Sequence, residues 1–233
     1  MQRLQVTRKY LQFWGKNYEN VRLRKRRKKV IGIIDYGSGN IHAIATIYKN
    51  LNIEYQVFTK PESLKLADKL ILPGVGAFDS TMQQLINSGL KDELNKRVII
   101  DKVPILGICV GLQVMGYGSE EGALPGLGWI PGKVKKFDES RIEIKPKLPH
   151  MGWNVIKDLR VHPLFKGIDS DFGFYFVHSF YFECEKEENI LSTSNYGYDF
   201  ASSIYSNHIF GTQFHPEKSH GNGIQLLKNF AQL

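Results

Sequence analysis

The chain has 233 residues, 42% apolar and 23% charged, which is ordinary for a globular protein and long enough for one large α/β core. No apolar run reaches bilayer-spanning length, and the two cysteines, Cys109 and Cys184, are too few for a disulfide framework and lack zinc-site spacing. The formal charge of +8 is a property of one end: residues 1–29 hold eleven Lys or Arg against Glu19 alone, whereas residues 30–233 hold twenty against twenty-two acids.

The charge therefore describes a tail ending in RLRKRRKK, from Arg22 to Lys29, and not a basic face on a fold. Residues 1–29 are expected to be a flexible or adventitious basic extension, without the apolar core of a secretory signal, and residues 30–233 a single domain. Free thiols and a reducing cytoplasm are expected, with no zinc-type metal site, no membrane and no nucleic-acid partner. A nucleic-acid binder working through the tail is the competing class, weakened because a charge run is usually solvated.

From Val30, VIGIID reads as a strand buried on both faces, GSGN (Gly37 to Asn40) as a turn, and IHAIATIYKNL as an amphipathic helix. EYQVF is the next strand, PESLKLA a helical stretch, KLILP a buried strand, and PGVGAF a loop leading into a helix around Ser80 to Asn87. VPILGI is another buried strand that stops at Cys109, and VGLQVMGYG continues with a helical pattern broken by Gly116 and Gly118. Alternation of this kind predicts a doubly wound α/β fold. After Lys133 the texture becomes short and β-rich, with KVKKF, NVIKDL, FGFYFVHSFYF, ENILSTS, FASSIY and HIFGTQF, and looks more antiparallel. The closing segment, with Ile224, Leu227, Phe230 and Ala231 near helical spacing, should pack as a final helix.

Two local patterns carry chemistry. In GICVG, Cys109 stands where a buried strand hands over to a helix, with Gly107 and Gly111 flanking it, the cysteine counterpart of the GxSxG elbow. Alone, such a cysteine is more often a small buried residue than a nucleophile, since a free thiol with a pKa of roughly 8.5 needs activation. In GTQFHPEKSH, a β segment ends at His215, and Glu217 follows across the rigid Pro216, so that a carboxylate can return to one imidazole nitrogen and leave the other for a thiol. Cys109, His215 and Glu217 form the expected catalytic triad. The strand-end loop PGVG, from Pro73 to Gly76, and the amide of Val110 are candidate oxyanion donors, with Val75 and Gly76 on the loop, although glycine and proline punctuate ordinary loops as well.

GICVGLQ, PGVGAF and QFHPEKS in this order resemble the class I, triad-type glutamine amidotransferases, and the resemblance covers residues 30–233. IIDYGSGN, LPGLGWIPG and PHMGWN look like the branch that serves imidazole glycerol phosphate synthase. The resemblance implies a flavodoxin-like α/β fold with a mixed central sheet, and glutamine hydrolysis to glutamate and ammonia through a Cys109 thioester, with no metal or organic cofactor. It also implies a β/α-barrel cyclase partner of histidine biosynthesis that takes the ammonia through an internal channel. GYGSEEGALPGLGWIPGKVKKF and the segment from Phe200 to Gly223 are also similar to a paralogous branch that feeds a sugar amidotransferase of surface-polysaccharide synthesis. Matched residue by residue, the family's glutamine pocket falls on Gly74, Gly76, Gln113, Glu121, Ser179 and Phe180, with Glu120 in place of Glu121 if the register slips. The partner-facing mouth falls on Asn40, Met151, Trp153, Tyr175 and Lys218. Without the resemblance, Trp153 and Tyr175 read as core or interface aromatics and Lys218 as a solvated charge.

Overall fold

The computed structural model describes residues 29–158 and 160–233; the basic run up to Lys28 lies outside them. Five short apolar runs build a parallel block. β1 (Ile31–Ile34), β3 (Lys69–Gly74), β4 (Ile105–Cys109) and β12 (Ile209–Thr212) are buried along their whole length, as expected of strands covered on both faces. β2 (Tyr55–Phe58) forms the edge. The sheet order β2-β1-β3-β4-β12 is parallel throughout. It continues antiparallel through β11 (Asp199–Ser206), β10 (Ile190–Asn195) and β7 (Lys157–Asp158).

Helices α1 (Ile41–Asn50), α2 (Phe78–Asn87), α3 (Leu90–Asn95) and α5 (His220–Gln232) cover the sheet, each pressing an apolar stripe onto it. Two ribbons stand apart from the main sheet: β5 (Gly132–Lys136) pairs with β9 (Phe180–Cys184), and β6 (His150–Asn154) pairs with β8 (Phe174–His178). Lys69, buried in β3, donates to the Phe230 and Ala231 carbonyls at 2.8 and 2.9 Å and so closes the end of α5. Among the described residues no helix is long and apolar enough to cross a membrane.

Several sequence expectations need correction. The helix after Cys109, α4, is only Val110–Gln113, because the chain must then turn to lie against β5, where Tyr117 N–H donates to the Gly132 carbonyl. A Cβ at Gly116 would meet the Phe182 ring at 2.6 Å, so that glycine permits the close pass. The stretch at PESLKLA is a 3-10 turn, Pro61–Leu66. FGFYFVHSFYF breaks at Ser179 into β8 and β9, which belong to different ribbons, and NVIKDL gives only Asn154 to the end of β6 and Lys157–Asp158 to β7. Ile224 is 41% exposed; α5 turns Leu226, Leu227 and Phe230 inward instead. The buried Asn222 and Asn229 set that helical phase by donating to carbonyls of residues 164–173. α3 with the π-helical turn Lys96–Ile100, and strand β6, had no counterpart in the sequence reading.

Candidate active site

Cys109 is the last residue of β4, buried, with φ 54 and ψ −112, a conformation that non-glycine residues rarely adopt. The flanking glycines make room for it. A Cβ on Gly111 would run into the Leu72 carbonyl oxygen of β3, and one on Gly107 would lie 2.6 Å from both the Gly111 oxygen and the Met115 methyl. Close approach of strand to helix therefore explains both glycines.

β12 lies beside β4 with Thr212 opposite Ile108, so His215, three residues on, arrives next to Cys109. Its backbone is held by Tyr175, whose carbonyl accepts from His215 N–H at 2.9 Å, and by Ser219, whose hydroxyl donates to the His215 carbonyl at 2.6 Å. Nδ1 of His215 and Oε1 of Glu217 are 2.8 Å apart, with side chains 2% and 1% exposed. The pairing at Nδ1 leaves Nε2 free to face the neighbouring Cys109 sulfur, which raises the imidazole's affinity for a proton. Asn40 Nδ2 donates to the same Glu217 oxygen at 2.7 Å, while Oε2 of Glu217 is buried without a hydrogen-bond partner.

Burial by itself would depress the His215 imidazole, but the bonds to Cys109 and Glu217 and their charges outweigh it and raise its pKa well above the ordinary value. For Glu217 burial acts upward, yet the hydrogen bond and charge of His215, with help from Asn40, hold the carboxyl below the usual carboxylate range. An ionised Glu217 against a readily protonated His215 is an arrangement able to accept and return a proton beside a sulfur nucleophile.

The sulfur opens into a cavity of about 400 Å³. Gly76, Gln113, Glu121, Ser179 and Phe180 line it, as do Val75, Val110 and Lys218. Gly74 is not on its wall: it pairs with Cys109 in the β3–β4 ladder, and a Cβ there would lie 2.5 Å from the Gly111 nitrogen, so its part is clearance. Glu121 sits at the rim and accepts from Phe78 N–H at 2.8 Å at the start of α2. Glu120 faces elsewhere, accepting from Lys136 N–H at 2.9 Å. Of the three expected oxyanion amides, Val75 N–H is already engaged by Ser38 Oγ at 3.0 Å, whereas Gly76 (φ +94) and Val110 remain on the wall.

The residues expected at the mouth divide. Met151 and Trp153 are 61% and 45% exposed on β6, Trp153 is opposite Tyr175 on β8, and Lys218 Nζ lies 5.6 Å from the Tyr175 ring. Trp153 stacks on His220 and meets Phe172 edge-on, so it is a surface aromatic and not a core one. Asn40 is turned inward to Glu217, which makes it a support of the triad geometry. Sequence reasoning missed Gln213, His178 and His150. Gln213 lies wholly buried with its amide 3.7 Å from the Cys109 sulfur, and His178 forms part of the cavity wall. Polar side chains beside the aromatic residues of HIFGTQF and FYFVH were the available signal for Gln213 and His178. Among the described residues no group of three or more His, Cys, Asp or Glu is arranged to hold a metal.

A family model for class-I glutamine amidotransferases matches residues 32–233. The chain is 47% identical over 204 residues to an imidazole glycerol phosphate synthase subunit HisH of Leptospira borgpetersenii, covering 88% of this chain and 100% of that one. A protein of the same description from Bdellovibrio bacteriovorus is 48% identical over the same shares. Among solved structures, a putative GMP synthase subunit protein from Thermoplasma acidophilum superposes with a TM-score of 0.66 at 20% identity, over 89% of this chain and 94% of that one. PurLQS of Thermotoga maritima gives 0.65 at 16%, over 88% and 98%. At those identities the structures speak for the fold alone.

Proposed function

Since the chain belongs to the class-I glutamine amidotransferase family, we propose that it is the glutaminase subunit of an imidazole glycerol phosphate synthase, hydrolysing glutamine at Cys109 in the cytoplasm and passing the ammonia to a cyclase subunit. The observation that carries the reading is a buried cysteine on a strained strand-to-helix turn, beside an imidazole held 2.8 Å from a buried carboxylate.

In the proposed reaction the Cys109 sulfur attacks the side-chain carbonyl of glutamine, and the oxyanion takes donors from Gly76 and Val110. His215 protonates the departing nitrogen, which leaves as ammonia, and a thioester remains. His215 then removes a proton from water, which adds to the thioester; the C–S bond breaks, and glutamate departs as the sulfur recovers its electron pair. Glu217 keeps the imidazole in one tautomer throughout. Gln113, Ser179 and Phe180 frame the substrate, and Glu121 at the rim suits its α-ammonium.

The exposed Met151, Trp153 and Phe172 beside Lys218 offer an apolar face with a charged edge next to the cavity, which supports docking of the synthase subunit there. Residues 30–233 are taken as the amidotransferase domain. The test is glutamate release by the full chain mixed with the β/α-barrel cyclase of the same genome. Cys109→Ala should lower the rate by about 10⁴-fold or more, and a parent-like rate would refute the nucleophile assignment. Stimulation by a sugar amidotransferase in place of the cyclase would change the pathway and leave the glutaminase chemistry standing.

A further inference from the structure

We propose that Gln213 is a further catalytic residue, whose side-chain amide donates a hydrogen bond to the Cys109 sulfur and, aimed there by Gln113, stabilises the thiolate that begins and ends each thioester cycle. This rests on the reading of Cys109 as the nucleophile. Gln213 lies just beyond β12, fully buried, with Nε2 3.7 Å from Sγ.

Amide nitrogen and oxygen are told apart by their partners, so the orientation has to follow from the surrounding network. The Phe180 carbonyl can only accept. The Gln113 atom 3.0 Å from it is therefore nitrogen, Nε2. The second proton of that nitrogen goes to Gln213 Oε1 at 3.1 Å, which leaves Gln213 Nε2 as the atom on the sulfur. Reversing Gln213 would set two NH₂ groups against each other and an oxygen lone pair against the sulfur.

The starting carbonyl is itself fixed. His178 Nδ1 donates to Phe180 O at 2.8 Å, and with that proton placed, His178 Nε2 must accept from His150 Nδ1 at 3.0 Å. Asn154 Nδ2 lies 3.3 Å from the remaining His150 nitrogen and also donates to the Asn195 carbonyl at 2.8 Å. Burial holds His178 and His150 in their neutral forms, so the direction of every donor in the chain is preserved around neutral pH.

The sulfur thus faces the His215 imidazole and the Gln213 amide. A bond to a charged sulfur is worth more than one to a neutral thioester sulfur, so the amide acts where charge is present: on the sulfur as it attacks and on the sulfur that regains its electron pair as the C–S bond of the thioester breaks. Gln113 lines the substrate cavity, so the side chain that aims Gln213 is also within reach of glutamine.

The test is alkylation of Cys109 by iodoacetamide in the full-length chain, read by mass spectrometry of the Cys109 peptide so that Cys184 is scored separately. In Gln213→Met, which keeps the volume and removes the donor, the rate at about pH 7 should fall about three- to tenfold, and the pH of half-maximal rate should rise. A folded variant with the parent's pH profile overturns the proposal, since a purely structural side chain would alter melting and not that profile. A second measurement needs no change at position 213. In the ¹⁵N-labelled parent, the Gln213 side-chain amide signal should respond to pH between about 5 and 9 and lose that response in Cys109→Ala. A signal indifferent to pH, or one that still responds without the sulfur, overturns it equally. Neither readout involves glutamine or a partner, so failure here is distinct from failure of the glutaminase reading, which glutamate release decides.

Discussion

Cys109, at φ 54 and ψ −112, lies outside even the small left-handed region that non-glycine residues visit. Residues in sparsely populated backbone regions store about 1–3 kcal/mol, and a position this far from an allowed basin belongs to the upper part of that range. Comparing Cys109→Ala with Cys109→Gly isolates the strain, because both remove the sulfur and its bonds to His215 and Gln213, but only alanine keeps the Cβ that opposes this backbone. Relief of about 2–3 kcal/mol, less about 1 kcal/mol for the freer unfolded chain and the lost methyl, leaves the glycine variant more stable by about 1–2 kcal/mol. For a fold of this size that is roughly 3–6 °C in Tm. Urea unfolding followed by circular dichroism, with equal slopes for the two variants, measures the difference directly. Equal stabilities, or a more stable alanine variant, would show that the elbow is not strained and that the conformation is set by something other than the surrounding strands.

Three further outcomes follow from named contacts. Gly111→Ala should destabilise by about 3 kcal/mol or more, because its Cβ meets the Leu72 backbone and neither strand nor helix can yield cheaply; a well-folded variant with parent-like Tm would contradict this. His178, which burial and then the nearby His150 push down to about 3, stays neutral in the folded chain and takes up a proton near 6.5 only when unfolded. Its contribution to stability is therefore complete above about pH 6.5 and falls by about 2 kcal/mol on acidification to about pH 5. In His178→Gln, melting temperatures at about pH 7.5 and about pH 5 should lie closer together than in the parent, and an undiminished gap would count against the argument. Asn40→Ala removes the neutral donor to Glu217, whose other oxygen already lacks a partner, and should lower kcat for glutamine about tenfold with little change in KM. A variant that raised KM alone would place Asn40 in substrate binding instead.

The readable part of the fold was the part determined by local burial. β1, β3 and β4 are short runs of mostly apolar residues, so their strand character needs no knowledge of their neighbours, and Gly107 and Gly111 could be anticipated because an elbow leaves no room for a Cβ. β6 was illegible for the opposite reason. His150 and Gly152 spoil its apolar alternation, and it becomes a strand through β8, whose first residue, Phe174, comes twenty positions after Asn154. The site's supporting bonds are more remote still: Asn40 and Glu217 are 177 positions apart, Gln213 and Cys109 are 104, and Gln113 and Gln213 are 100. Periodicity names the strands without saying which lie side by side. The order β1-β3-β4-β12 supplies that missing fact, because it brings the loops after four adjacent parallel strands to a single edge: Ser38 and Asn40 after β1, Val75 and Gly76 after β3, Val110 after β4, and Gln213, His215 and Glu217 after β12. The last strand to be made in chain order is inserted next to the one that carries the cysteine, so Gln213 and His215 come up beside the sulfur, and Glu217 beside the imidazole, from one short segment. A glutamine two residues before a histidine, just past a β segment, was visible in the sequence. Its meaning depended on the neighbour that the strand order placed against it.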